Sequence, residues 1–354
     1  MTVRIGIIGT GFARRVQLPG LSLIPDARVM AVASGRRENA AAVASQFEIP
    51  RVYGDGVELA ESDDVDLVMV SSTPPSHARF AIAALEAGKH VLCEKPMALD
   101  AHEAGRMVAA AERHPAQLAW IDHELRYDPV RRRVRELLRS GAIGTLRHLE
   151  LSLKPYVRGD GRPQPTTAPW TWWFDRGQGG GILGAVGSHL IDLCRFWSGG
   201  EVSRVAGRVA TFNAERVDEQ GVTHPATSDE FASFVLTLPG GVIATVTLST
   251  VAWQGPGHLA QITGSEGTLV LTGERRLEIG RSSGPMEEIT VPDDLEGHPL
   301  LKNMWGRGFV RLARDLVGVL EGRPRTGEPA GFRDGWSVQR VLDAVRQDTS
   351  VSLD

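Results

Sequence analysis

Lysine is the scarce cation of this chain. Only Lys89, Lys95, Lys154 and Lys302 occur among 39 lysines and arginines, so a charge wanted for solubility alone has an abundant substitute. Cysteine is scarcer. Cys93 and Cys194 are too few for a disulfide framework or a cysteine-rich metal site. None of the ten histidines forms a pair at metal-ligand spacing, which argues against zinc. No apolar run approaches the roughly 20 residues that span a bilayer. The N-terminus, MTVRIGIIGTGF, enters a strand directly, without a basic region or a small-residue cleavage site. No signal peptide is expected, and the cytoplasm is the expected location. Net charge is only -4, and the most basic stretch, RYDPVRRRVRELLRSG, has the spacing of one solvated helix face. Nucleic acid is therefore not an expected partner.

What is present suits two domains. The 354 residues are 42% hydrophobic and 23% charged. In the first third, short apolar runs at 3–8, 29–33, 65–70, 91–93 and 117–121 alternate with helical patterns at 38–47, 76–87 and 101–113. Runs that are apolar throughout belong to strands buried on both faces, and strand–helix–strand order predicts a doubly wound parallel sheet. After residue 121 the pattern changes. A helix is expected over about 128–140, followed by alternating or β-branched segments at 146–153, 205–212, 231–238, 242–248, 258–262 and 268–271. Turns such as LPGG and GSEG join several of them, as in a mostly antiparallel sheet. Helices at 305–320 and 332–346 close the chain. The expected domains are 1–122, of Rossmann type, and 123–354, an α/β domain with a large open sheet.

Gly9-Thr10-Gly11, with Phe12 and Ala13 behind it, follows the first strand and starts a helix. A first glycine permits the tight turn, a second lets a pyrophosphate approach, and the helix N-terminus supplies amide donors. An ordinary strand–helix turn is the alternative. Arg14 occupies the position of a third glycine, where helix and strand usually pack closely. The second strand ends in Ser34-Gly35-Arg36-Arg37 and not in the carboxylate that holds a ribose 2′-hydroxyl. A hydroxyl and two guanidinium groups suit a 2′-phosphate, so NADP is preferred to NAD; a solvated helix start is the alternative.

The G-x-G turn, SSTPPSHARFAIAALEAGKHVLCEKPMA and GGGILGAVGSHLID, in that order over nearly the whole chain, resemble the glucose–fructose oxidoreductase, inositol dehydrogenase and rhizopine-catabolism family. The resemblance implies a Rossmann domain, an open-sheet domain that often makes oligomer contacts, and NAD(P)-dependent chemistry on sugars, cyclitols and related polyols. It implies that Ser72, Thr73, Pro74 and His77 line the cofactor, and that Glu94 and Lys95 stand beside the nicotinamide. Thr73-Pro74-Pro75-Ser76 also reads as a helix start. Proline after Lys95 biases the lysine toward extended geometry, and an ammonium near a carbinol oxygen stabilises alkoxide character. A salt bridge to Glu94 is the bland reading of Lys95. The resemblance also makes His189 an acid–base residue, but its customary aspartate, four residues earlier, is Ala185 here. Asp192 falls on the same helical face and is the substitute orienter, or else an exposed partner of Arg195.

Substrate contacts are expected from Arg126, Tyr156, Trp172 and Asp175. The aromatic cluster PWTWWFD suits either a sugar C–H face or a lid packed on itself. The combined reading is hydride transfer between a secondary carbinol and the nicotinamide, with Lys95 on the substrate oxygen. A homodimer or homotetramer formed through the second sheet is expected. Two rivals stand: a redox-neutral enzyme using transient oxidation, and a non-catalytic NAD(P)-binding regulator.

Overall fold

The computed structural model describes residues 2–154, 168–253, 255–281, 284–347 and 351–353. The chain forms two compact units, Met1–Asp128 with Asp293–Trp336 and Pro129–Pro292 with Ser337–Asp354. This differs from the expected single division after residue 122.

The first unit is built on β1 (Val3–Ile8), β2 (Ala27–Ala33), β3 (Arg51–Tyr53), β4 (Leu67–Val70), β5 (His90–Cys93) and β6 (Ala119–Ile121). They are parallel, in the order β6-β5-β4-β1-β2-β3, with the short antiparallel strand Ala330–Gly331 outside β6. Alternate residues feed two separate cores. Ile5, Ile7, Val32, Met69 and Leu92 join one, and Ile8, Ala31, Val68, Val70 and Val91 the other. Both faces are covered, which explains why the strands read as continuous apolar runs. The first core is completed from far along the chain. Phe309, Val310, Leu312, Leu316 and Val317 of helix Met304–Leu320 lie in it, and that burial returns Asp293–Trp336 to the first unit.

The second unit contains β7 (Leu146–Lys154), β8 (Arg204–Ala210), the separate hairpin β9 (Glu215–Val217) and β10 (Thr223–Pro225), β11 (Phe231–Leu238), β12 (Val242–Ser249), β13 (Gly257–Gly264), β14 (Gly267–Thr272), β15 (Arg276–Arg281) and β16 (Glu287–Ile289). The main sheet runs β16-β15-β14-β13-β7-β12-β11-β8, then Val351–Ser352. It is antiparallel except for the β7–β12 pair. Its strands bury one face against helix Ser188–Ser198, whose Leu190, Ile191, Leu193, Cys194, Phe196 and Trp197 are all buried. The other face stays partly exposed, with Val235 at 42% and Ile243 at 38%.

The basic helix Pro129–Arg139 is not simply solvated, as its spacing suggests. Arg131 is fully buried, 2.6 Å from His258 Nδ1, and Arg135 lies over the Phe196 ring at 4.2 Å. Its cations are partly core, because these guanidinium groups find a ring nitrogen and an aromatic face inside the unit. Among the described residues no helix is long and apolar enough to cross a membrane.

Candidate active site

Strand register lines up one edge of the first unit. Ile8 pairs with Ala33 and Val70, Val70 with Cys93, and Cys93 with Ile121. The next residue on each strand is Gly9, Ser34, Ser71, Glu94 and Asp122 in turn. Backbone bonds carry the ladder one step further: Gly9 N donates to Ala33 O, Ser71 N to Ile8 O, Glu94 N to Val70 O and Asp122 N to Cys93 O, at 2.7–2.9 Å. This row is the carboxyl edge, where open α/β sheets bind ligands.

At its nucleotide end, Gly9 has φ +107°, a conformation side chains rarely adopt. Gly11 has nothing within 4 Å of where its Cβ would stand, so the space over the helix N-terminus is open to a phosphate. Thr10 Oγ1 and Ser34 Oγ lie 3.4 Å apart, linking the ends of β1 and β2. Phe12 is half-buried and Ala13 fully buried. Arg14 points outward and donates to Gln46 Oε1 at 2.7 Å, so its bulk does not meet the sheet. Gly35, Arg36 and Arg37 are exposed, and among the described residues neither arginine has a carboxylate partner. The glycine turn and the open helix N-terminus fit the phosphates of a dinucleotide.

Ser72, Thr73 and Pro74 follow β4 and lead through the turn Pro74–Ser76 into helix His77–Glu86, so the helix-start reading of these prolines holds. His77 is buried and does not present an open face. Its Nδ1 is 3.0 Å from Pro96 O and its Nε2 3.0 Å from Ser72 O. Burial holds its pKa below the usual histidine range against the pull of both carbonyls. The neutral ring donates to only one of them, and it ties the β4 and β5 loops together.

Glu94 and Lys95 end β5, and the Lys95–Pro96 peptide is cis. Glu94 is buried. Its Oε1 accepts from Gln17 Nε2 at 2.9 Å and its Oε2 from the Lys95 amide at 3.3 Å. Gln17 Oε1 in turn accepts from Ser71 Oγ at 2.6 Å. Gln17 sits in the π-turn Ala13–Gln17 of the nucleotide helix and so couples the ends of β4 and β5. Asp122 and Glu124 are also buried here. Burial, then the charge of Asp122, raises the Glu94 and Glu124 carboxyls well above their ordinary range, and burial pushes Asp122 up to about 6. Sequence reading missed Gln17, Asp122 and Glu124. The available signal was an acid directly after an apolar strand, which Asp122 shares with Glu94.

Arg126, expected to contact substrate, lies with Tyr127 in the turn Glu124–Tyr127 before the basic helix. Tyr127 is a core residue, donating to Asp315 Oδ2 at 2.6 Å. Arg126 is buried and pairs with Asp334 at 3.0 Å. That pairing leaves less of Arg126 for a substrate than expected.

In the second unit, His189 is the buried second residue of helix Ser188–Ser198, after the π-turn Leu183–Gly187. Asp192 lies 3.4 Å from Arg195 Nη1, and the pair is buried, not exposed. The glycine run before this helix answers a local need. Gly181 has φ +107°, and a Cβ there would come within 2.5 Å of Asp229 Oδ1. Asp229, also missed by sequence reading, accepts from Leu183 N at 2.6 Å and anchors the start of the His189 segment. Asp175 caps its own turn by accepting from Gly177 N at 2.8 Å. The aromatic loop divides: Phe174 is buried under Arg216 at 4.0 Å, whereas Trp172 is 42% exposed. Tyr156 lies outside the described residues.

A doubly wound parallel sheet with a glycine turn, an open helix N-terminus and a lysine among buried acids at one edge defines a dinucleotide-binding enzyme. Comparison with known proteins narrows the class. Residues 3–123 match the model for an oxidoreductase family with an NAD-binding Rossmann fold, and residues 131–270 match the GFO/IDH/MocA C-terminal domain. An uncharacterized oxidoreductase of Synechocystis sp. is 30% identical, covering 97% of this chain and 93% of its own. D-apiose dehydrogenase of Paraburkholderia graminis is 27% identical, covering 98% of this chain and 88% of its own. The structure of levoglucosan dehydrogenase with NADH and levoglucosan superposes with a TM-score of 0.85 at 23% identity, covering all of both chains. The chain belongs to the GFO/IDH/MocA family of oxidoreductases and is an enzyme of the dehydrogenase or reductase type.

Proposed function

We propose that this enzyme oxidises a secondary carbinol of a sugar, cyclitol or related polyol, or reduces the matching carbonyl, with Lys95 acting on the substrate oxygen. The observation that carries the reading is the strand-end row, which sets Lys95 one residue beyond Glu94 at the ligand edge of the sheet. When bound, the nicotinamide supplies the hydride acceptor or donor. Lys95 binds the oxygen and moves its proton. His189 is the proposed second proton carrier, with Asp192 as its orienter and Trp172 as a platform for the sugar C–H face. Arg126 and Asp175 are retained only as peripheral substrate contacts. The sugar dehydrogenases among the relatives support the substrate class. A panel of sugars and cyclitols offered with NADP and with NAD, followed at the reduced-nicotinamide absorbance, tests this. A panel that supports no turnover with either cofactor ends it.

NADP is the proposed preference, because Arg36 and Arg37 are exposed cations without carboxylate partners among the described residues. Charge-assisted contacts contribute about 1.5–3 kcal/mol each. Arg36→Ala with Arg37→Ala is therefore expected to weaken NADPH more than about tenfold while leaving NADH nearly unchanged. Equal NADH and NADPH affinities in the unmodified protein would refute the preference.

The half-open face of the second sheet is the proposed contact between copies of the chain. Val235 and Ile243 are its exposed apolar residues, set among half-buried Thr237, Thr245 and Thr247 on neighbouring strands. Val235→Asp is expected to shift sedimentation toward the monomer. An unmodified protein that sediments as a monomer at micromolar concentration would remove the basis for this.

A further inference from the structure

The ligand edge of the first unit holds more acid than binding a dinucleotide requires. Glu94, Asp122 and Glu124 are 7%, 0% and 1% exposed, and the charge of Lys95 acts on all three. Three ionised carboxylates against one ammonium would leave a net charge of about -2 in a buried space, which a low dielectric penalises heavily. The group therefore retains protons near neutrality, and interacting acids titrate as a set.

The surroundings keep this set together. Gln17 holds Glu94, and the Asp122 amide is bonded to the strand that carries Lys95. Helix Met304–Leu320 approaches Glu124 so closely that a Cβ at Gly308 would lie 2.6 Å from the Glu124 carbonyl oxygen. Other titratable or charged groups at this end include Cys93, whose thiol burial pushes well up, buried His123, His77 between its two carbonyls, and buried Arg126, which pairs with Asp334.

We propose that Glu94, Asp122 and Glu124 form one proton store behind Lys95, taking up a proton from Lys95 so that its amine can draw one from the carbinol, and returning it in the reverse reaction. The proposal rests on the assignment of Lys95 to the substrate oxygen. An N–H bond of the Lys95 ammonium breaks as an O–H bond forms on a carboxylate of the store, which leaves a neutral amine. In oxidation the carbinol O–H bond then breaks as an N–H bond forms on that amine. The two electrons of the carbinol C–H bond would leave with the hydride, for which a bound nicotinamide would be the acceptor. Asp122 reaches the substrate only through Lys95 and is a positioning residue.

The scarcity of lysine makes the test direct. Protein labelled with carbon-13 at lysine Cε and loaded with NADPH has four lysines to report, and the Lys95 signal is assigned by its loss in Lys95→Arg. That signal is expected to inflect near pH 6, where Asp122 ionises, while those of Lys89, Lys154 and Lys302 do not. Asp122→Asn should remove the inflection or move it by about one unit or more. A Lys95 signal with no inflection, or one that Asp122→Asn leaves in place, overturns the proposal. Glu124→Gln is read in the same way should Asp122→Asn not fold.

Thermal melting is the second measurement. The folded-state pKa of Asp122 is raised above its unfolded value, so its ionisation costs stability as pH rises through that interval. Asp122→Asn should therefore melt higher than the unmodified protein at about pH 8 and gain nothing at about pH 3. A lower melting temperature at the alkaline pH counts against the store. With the polyol returned by the panel, Asp122→Asn should lower kcat about tenfold or more at unchanged KM, and combined with Lys95→Ala it should cost nothing further. Losses that multiply would mean that Asp122 does not act through Lys95. Normal turnover in Lys95→Arg would undo the role of the lysine itself, whereas the carbon signal judges the store without any turnover.

Discussion

Lys95→Ala is expected to lower turnover by about two to four orders of magnitude, the range for a positioned proton-transfer group. The loss should fall on kcat, because the amine handles a proton in the transition state and binds the ground state only weakly. The fold should survive, since Lys95 is half-exposed at the sheet edge and belongs to neither hydrophobic core. Lys95→Arg should not restore activity. A guanidinium keeps the charge but does not release its proton at working pH. Steady-state rates of both variants, with circular dichroism as the check on folding, decide the matter. An arginine variant with near-normal turnover would mean that charge alone is needed.

Two glycines of one turn, Gly9 and Gly11, should fail in different ways. A Cβ on Gly9 would lie 2.3 Å from Ser71 O and 2.5 Å from Ser72 N, at a positive φ. Gly9→Ala must push the ends of β1 and β4 apart, so a destabilisation of about 1–3 kcal/mol is expected together with loss of nucleotide binding. Gly11→Ala meets no protein atom within 4 Å. Its melting temperature should stay put while NADPH affinity, followed by cofactor fluorescence, falls more than about tenfold, roughly 1.4 kcal/mol. Unchanged affinity in Gly11→Ala would mean that the phosphates do not approach that residue.

The parallel sheet was legible because strands buried on both faces leave continuous apolar runs, and β1 begins and ends where its run does; β11 of the second sheet is bounded as well by its own alternating pattern. The short strands β3, β9, β10 and β16 were not, since three residues are too few to establish a period of two. At the site, Gly9, Gly11, Glu94 and Lys95 stand next to turns and strand ends whose local chemistry marks them. Gln17 joins this set only by reaching Glu94, 77 residues away, and Asp122 by the bond of its amide to Cys93 on the neighbouring strand, pairings that no local pattern encodes. Asp229 escaped notice for the same reason: its partner, the Leu183 amide, is supplied by a glycine-rich loop 46 residues away.

The return of Asp293–Trp336 to the first unit bears on how the protein is born. A ribosome that has released β1 through β6 has not yet made Phe309, Leu312 and Leu316, which close the core beneath Ile5, Ile7 and Leu92. At about 5–20 residues per second, synthesis from residue 129 to residue 320 takes roughly 10–40 s. Throughout that interval one side of the nascent sheet is covered only in part, by early residues such as Leu18, Leu21, Val43 and Ala44. Chaperones that bind emerging apolar surface have a window there, and a pause in translation downstream of residue 128 would lengthen it.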